Sequence, residues 1–343
     1  MKIGDKTIGD QLITCAEAGS TTRGDKKIAM KLADAAKEAG CDCIKFILSN
    51  PDTLIAQPID YGGESLYDVV KSYQMPHAHW DEIIGHCKKI ELPYFFSVGT
   101  EDYIPMAEEL GNPIYKVSAC DARQYFLFDS ILATGKPFMF DLSTVIPGEV
   151  CNILEYLADD KGWDWLKDNV CFMYESHGEL NLNSIPYLRE RFGLPVGYSA
   201  QGRDSCPDIW AAKNNAVVLE KRIRLDDTPE HHSEQALSPP ELTEWVRMMH
   251  NPPKIPWSFS DEERNCGRHG LFPSLEDVSM KQKYYTSLCF SRDIKQGEII
   301  TRDMCCARRP GHGLSPLYLY LFEGKPAARD YSENEILTYD TIG

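Results

Sequence analysis

Long apolar runs are missing from this chain. No stretch approaches the roughly twenty residues that a membrane-spanning helix needs, and the opening Met1-Lys2-Ile3-Gly4-Asp5 lacks the apolar core of a secretory signal. A cytoplasmic location is expected from this. Positive charge is scarce as well: 36 Lys and Arg stand against 52 Asp and Glu, a formal net charge of −16. Such a surface repels nucleic-acid backbones and anionic lipid at long range, so neither nucleic acid nor membrane is expected as a partner. An anionic small molecule would need a local basic pocket, which makes each Lys or Arg near a candidate site more informative. Cysteine pairs at zinc-ribbon spacing are absent too. Cys41 and Cys43 form a C-x-C pair without a second pair, so the 12 cysteines read as reduced, mostly buried thiols. No Gly-rich phosphate loop follows the first predicted strand, which removes the main sign of a doubly wound dinucleotide-binding sheet.

What is present is alternation. Short apolar runs at Leu12–Ala16, Cys43–Ile47, Tyr94–Ser97, Ile114–Val117, Phe138–Phe140, Val170–Tyr174, Val196–Tyr198 and Val217–Glu220 read as strands. Helical patterns follow each of them. Ile28-Ala29-Met30-Lys31-Leu32-Ala33-Asp34-Ala35-Ala36 has the i, i+3, i+4 spacing, and Gly40 stops it. Pro239 and Pro240 open the last helix of the series. Eight such units predict an α/β fold, a (β/α)8 TIM barrel over residues 1–255, with its site at the C-terminal ends of the strands. Asn251-Pro252-Pro253-Lys254-Ile255-Pro256 predicts a stiff linker. Residues 256–283 form a connecting segment without a clear pattern. Residues 284–343 read as a small domain of short strands and turns, with Lys295-Gln296-Gly297-Glu298 as a tight turn. About thirty residues separate the second strand from the helix near His79, a length typical of lids and binding loops.

Several phrases carry a resemblance. They are Cys15-Ala16-Glu17-Ala18-Gly19 at the start, Phe290-Ser291-Arg292-Asp293-Ile294-Lys295-Gln296-Gly297-Glu298 in the small domain, and Ala307-Arg308-Arg309-Pro310-Gly311-His312-Gly313-Leu314-Ser315-Pro316 near the end. Together they resemble the bacterial sialic acid synthases, whose barrel is followed by an antifreeze-like (SAF) domain. That family condenses phosphoenolpyruvate with an open-chain amino sugar. The resemblance implies catalytic acids at Glu17 and Asp121 (usually Glu in the family) and phosphoenolpyruvate-binding lysines at Lys45 and Lys116. Ser97, Tyr67 in Ser65-Leu66-Tyr67-Asp68, Glu175 and His177 fall at its substrate-binding positions. It further implies that Arg309 reaches the sugar from the small domain of a partner subunit in a domain-swapped homodimer.

The family's divalent metal, Mn or Mg, is where the sequence departs. Its two histidines are replaced by Gln201, in Gly197-Tyr198-Ser199-Ala200-Gln201, and by Arg222, in Leu219-Glu220-Lys221-Arg222-Ile223. A guanidinium stays protonated and cannot ligate a metal. Arg222 is therefore expected to replace the metal's charge, with a relocated site of Asp141, Glu175 and His177, or an inert structural network, as the alternatives. After the fifth strand, either Asp141-Leu142-Ser143 or, two residues on, Ser143-Thr144 occupies the family's hydroxyl positions. His231-His232, Cys266 and His269 read as loop residues. The expected function is a synthase joining phosphoenolpyruvate, or a related three-carbon acid, to an aldose or N-acyl amino sugar. The product would be a nonulosonic-type acid for surface polysaccharide. A sugar-binding or regulatory homologue without turnover is the alternative.

Overall fold

The computed structural model describes residues 1–175, 180–200, 202–229, 232–252 and 267–341. His177, Gln201, His231, Cys266 and most of the Pro-rich linker lie outside them. Eight parallel strands close into a barrel: β1 (Ile13–Ala18), β2 (Cys43–Leu48), β3 (Tyr94–Val98), β4 (Tyr115–Val117), β5 (Phe138–Asp141), β6 (Val170–Tyr174), β7 (Val196–Ser199) and β8 (Val218–Arg222). β8 returns to pair with β1, so the sheet has no edge. The TIM barrel predicted from the eight apolar runs is the observed fold. Every predicted strand is present, with ends shifted by two residues at most.

Local chemistry explains the helices. Asp25 caps the helix Lys26–Glu38 by accepting from the backbone N–H groups of Lys27 at 2.7 Å and Ile28 at 3.1 Å. Its buried face is Ala29, Leu32, Ala33 and Ala36, the i, i+3, i+4, i+7 stripe. The small residues let this helix lie close against the barrel. Opposite, Trp80 of the helix His77–Lys89 packs edge-on against Phe46 and Phe96, ring centroids 5.5 Å apart in both pairs. Truncating a ring there would cost about 3–5 kcal/mol.

Side chains along a strand alternate between the two faces, so every second residue of a barrel strand points inward. The lower inward layer is apolar and rich in sulfur: Cys15, Cys43, Phe95, Ile114, Met139, Met173 and Val218 pack with Ile3 and Ile8 of the N-terminal hairpin. Two residues further along those strands come Glu17, Lys45, Ser97, Lys116, Asp141, Glu175 and Glu220. One pleat step converts a sealed floor into a charged mouth.

The long segment after β2 has structure of its own: short helices Pro51–Leu54 and Leu66–Ser72 and a two-stranded turn, Asp60–Tyr61 with Glu64–Ser65. It walls one side of the mouth. Part of the segment expected to be patternless is also helical, Leu275–Tyr284. Its start carries a sequence signal: Ser274 and Asp277 cap each other reciprocally, at 2.6 to 3.1 Å. The small domain contributes the antiparallel pair β9 (Ser287–Phe290) and β10 (Cys305–Arg308), around a core of its own that includes Leu288, Phe290, Ile300 and Leu337.

Among the described residues, no helix is long and apolar enough to cross a membrane.

Candidate active site

A cavity of about 250 Å³ opens at the C-terminal ends of the strands. Its floor is an ion cluster. One oxygen of Glu220, Oε1, accepts from Lys45 Nζ, from Lys116 Nζ at 2.9 Å and from Ser199 Oγ at 3.3 Å. Lys116 also lies 3.8 Å from Asp141. All four charged groups are buried. Burial works to raise the Glu220 carboxyl, but Lys116 and Lys45 outweigh it and hold the pKa down at about 2. For Lys116 burial works downward, yet Glu220, Asp141 and Glu175 lift the ammonium above its ordinary value. Glu220 and Lys116 therefore stay ionised at neutral pH.

On β8, two residues beyond Glu220, Arg222 again faces the mouth, while Lys221 between them turns outward to a fully buried pair with Asp208 at 2.7 Å. Arg222 stands opposite Glu17 in the β8–β1 register and donates from Nε to Glu17 Oε2 at 3.0 Å. Its Nη1 donates to the side-chain oxygen of Gln235. Burial pulls the guanidinium down, but Glu17 and Glu175 raise it, so it stays charged. Gly19 leaves room at this corner, because a Cβ there would push aside the Glu17 carboxylate and the end of Ile47.

Arg309 reaches the site from above. The chain at 309 pairs with the long segment after β2: Arg309 N–H donates to Leu54 O and Ala56 N–H to Arg309 O, each at 2.8 Å. Arg308 donates to Asp52 O at 3.0 Å and Gln124 to Ala307 O at 3.0 Å. Gly311 and Gly313 allow this seat, since a Cβ would strike the Lys281 carbonyl and Tyr285 at the first and Ile336 and the Leu337 carbonyl at the second. So held, Arg309 donates from Nη2 to Asp121 Oδ1 at 2.7 Å. Burial pushes Asp121 above the usual carboxylate range against the pull of Arg309. For Arg309, burial acts downward but Asp121 raises it further, so the arginine is charged. The contact expected across a subunit boundary is made here within one chain.

Between Arg309 and the ion cluster, the wall is apolar: Leu54, Leu66, Val69 and Val70, with Tyr61, Tyr73 and Tyr284. The Tyr61 hydroxyl lies 2.9 Å from His232 Nε2.

Glu17, Lys45, Ser97, Lys116, Asp121, Asp141, Glu175, Arg222 and Arg309 all line this cavity. Tyr67 does not. It is 36% exposed and donates its hydroxyl to Asp52 at 2.6 Å. On the helix Leu66–Ser72 the inward face is Leu66, Val69 and Val70, and a residue about 100° round from Leu66 points away. After β5 each alternative places one residue in the cavity, Asp141 from the first and Thr144 from the second. Ser143 folds back, through both its N–H and its hydroxyl, onto Asp141, while Thr144 lines the cavity.

Glu220 was missed by its residue type alone, though its place on β8 two residues before Arg222 puts both on one face. Ser118, 3.3 Å from Ser97 through their hydroxyls, and Ser199 were passed over in the same way.

A divalent metal does not fit the described residues at the position the resemblance implies. Arg222 fills the β8 place with a cation already held by Glu17 and Gln235. Asp141, of the alternative set, spends its oxygens on Ser143 and Lys116, and His177 lies outside the described residues. Among those residues no group of three or more His, Cys, Asp or Glu could hold a metal ion.

Comparison with known proteins places this geometry. Residues 32–255 match the NeuB family and residues 285–343 the SAF domain. Pseudaminic acid synthase of Campylobacter jejuni is 26% identical, with 98% of each chain covered. N,N'-diacetyllegionaminic acid synthase of the same species is 24% identical, over 94% of this chain and 97% of the relative. A spore coat polysaccharide biosynthesis protein of Bacillus subtilis has the same fold, with a TM-score of 0.82 at 21% identity, covering 100% of this chain and 99% of that one.

Proposed function

Because the chain belongs to the NeuB family, we propose that it is a synthase joining phosphoenolpyruvate to an open-chain N-acyl amino sugar or related aldose, giving a nonulosonic-type acid for a surface polysaccharide. The observation that carries this reading is the convergence of two buried lysines on one point of the floor, with an arginine delivered from the small domain across an apolar wall. Lysine ammoniums suit the phosphate and carboxylate of the three-carbon acid, and Ser97, Ser118 and Ser199 offer hydroxyl donors beside them. Arg309 and the apolar wall suit the acylated sugar.

The reaction asks for two kinds of charge control. The C3 carbon of the acid attacks the sugar aldehyde, forming a C–C bond, and the aldehyde oxygen gains electron density and then a proton. C2 becomes cationic and is attacked by water, which loses a proton; the C2–O bond to phosphate then breaks, phosphate leaving with the electron pair, as the new C2 hydroxyl loses its proton and becomes the ketone. In this reading Arg222 stabilises the developing oxyanion in the place where relatives with two histidines would hold a metal. Asp121 supplies a proton, since burial favours its neutral form once a ligand draws Arg309 away. Glu17, paired with Arg222, faces the cation or orients the water.

A homodimer that exchanges small domains is compatible with these contacts, because the same strand-to-loop pairing can form between chains. One observation favours the second reading, a binding homologue without turnover: both anion-binding lysines are already paired with Glu220, and Asp141 lies beside Lys116 as a second counter-charge. Calorimetry with phosphoenolpyruvate followed by a panel of amino sugars separates the two. The synthase reading expects binding of the acid and release of inorganic phosphate with at least one sugar. Binding without phosphate release across the panel would support the second.

A further inference from the structure

Glu220 has no role in the scheme above, yet it is among the most enclosed charged groups of the mouth. It is 2% exposed, and all its described hydrogen bonds fall on one oxygen. The other oxygen, Oε2, is buried with no hydrogen-bond partner among the described residues. Leaving a carboxylate oxygen dry and unpaired is costly, and a structural ion pair would be expected to use both. The arrangement instead draws Lys45, from β2, and Lys116, from β4, onto a single atom. Two ammoniums brought together inside a barrel repel each other, and the shared oxygen is what offsets this.

We propose that Glu220 is a positioning residue for the anionic substrate: it converges Lys45 and Lys116 on one point and acts as the counter-charge with which a multiply charged anion must compete. With Glu220 and the nearby Asp141, the two lysines sum to zero net charge, so the empty floor is neutral. A phosphoenolpyruvate trianion then binds against a resident carboxylate. It is held less tightly than two bare lysines would hold it, but in the orientation the paired ammoniums define. Weak ground-state binding with precise placement favours turnover over affinity. The remaining charged groups facing this cluster are Glu175 after β6, Glu17 on β1 and Arg222 on β8 itself. The last two are already engaged with each other.

This inference rests on the proposed function only for the identity of the anion, so its test uses three probes on the full chain: phosphoenolpyruvate, pyruvate and inorganic phosphate. Glu220→Gln keeps the shape and removes the charge. Its affinity for phosphoenolpyruvate is expected to rise roughly tenfold or more, and for singly charged pyruvate only about two- to threefold, as the charge product dictates. Turnover is expected to fall about tenfold or more at the same time. A merely structural glutamate would give weaker binding of every probe alike. Glu220→Asp retains the charge but withdraws the oxygen from the lysines. Phosphoenolpyruvate affinity should then stay within about twofold while turnover falls, and this variant carries the test if the glutamine protein does not fold. Unchanged or weaker phosphoenolpyruvate binding in Glu220→Gln, equal gains for both acids, or native turnover in Glu220→Asp overturns the proposal. If the native chain binds phosphate but not phosphoenolpyruvate, the proposed function fails while the phosphate affinities of the variants still decide the role of Glu220.

Discussion

The floor and the mouth of the barrel are built from the same strands, two residues apart, and they behave as opposite materials. Cys15, Cys43, Ile114, Met139 and Val218 are fully buried and pack together in one apolar cluster. Lys45, Lys116, Asp141 and Glu220 are almost as buried but meet each other as charges, and Glu17 meets Arg222. Burial therefore does not separate packing from chemistry in this molecule. The difference lies in what burial does: in the floor it contributes stability by removing apolar area from water, while in the mouth it strengthens the interactions among charges. Substitutions on either side of that one-pleat step should split stability from binding.

The largest effect expected is at Lys116. Lys116→Ala should weaken phosphoenolpyruvate binding at least about a hundredfold in calorimetry, because one of two converging cations is gone. It should also lower stability by about 3 kcal/mol, since Glu220 is left buried with Lys45 as its remaining cation. Loss of binding with unchanged denaturant unfolding would mean that the lysine pair contributes nothing to the fold. Met139→Ala, one pleat below Asp141, should do the reverse: a loss of about 2–5 kcal/mol from the cavity it opens, with phosphoenolpyruvate affinity in the surviving folded protein near native. A matching loss of affinity would erase the distinction between the two layers.

A smaller effect is expected from acid. The folded pKa of Glu220, about 2, lies below its ordinary value of 4.5, so its contribution to stability is fully present above the ordinary carboxylate range. It is lost as pH falls through that window toward 2. Native protein should lose melting temperature across this range more steeply than Glu220→Gln, and parallel curves would contradict an ionised Glu220 in the mouth. The smallest effect belongs to Tyr67, which points away from the cavity. Tyr67→Phe should change stability by less than about 0.5 kcal/mol and leave ligand binding alone; a marked rise in sugar KM would bring Tyr67 back into the site.

The barrel was legible because buried parallel strands write themselves as apolar runs separated by amphipathic helices, and this chain keeps that rhythm eight times. Lys45, Lys116 and Arg309 were legible because their surrounding phrases resemble a known family. Glu220 was not, although its strand phrase was in view. A glutamate read singly gives no hint that two lysines from other strands end on one of its oxygens. Counting two residues on from each apolar floor residue would have found it. Tyr67 lies outside the cavity lining for the opposite reason: a phrase match fixed the residue but not the face of the helix it sits on. The start of the helix Leu275–Tyr284 was readable from Ser274 and Asp277, but weak apolar periodicity over the polar segment hid it.

The central claim is that this mouth joins a three-carbon acid to a sugar with Arg222 standing where relatives with two histidines would place a metal. The most direct measurement is product formation followed by mass spectrometry. Phosphoenolpyruvate and N-acyl amino sugars would be supplied to chelator-treated native protein and to Arg222→Ala. The account predicts a product carrying the sugar and the three-carbon acid, with phosphate released, at a rate unchanged by chelator. It also predicts a loss in Arg222→Ala worth about 2–4 kcal/mol of transition-state stabilisation. Abolition of product by chelator and its recovery with manganese, or native rates in Arg222→Ala, would contradict it.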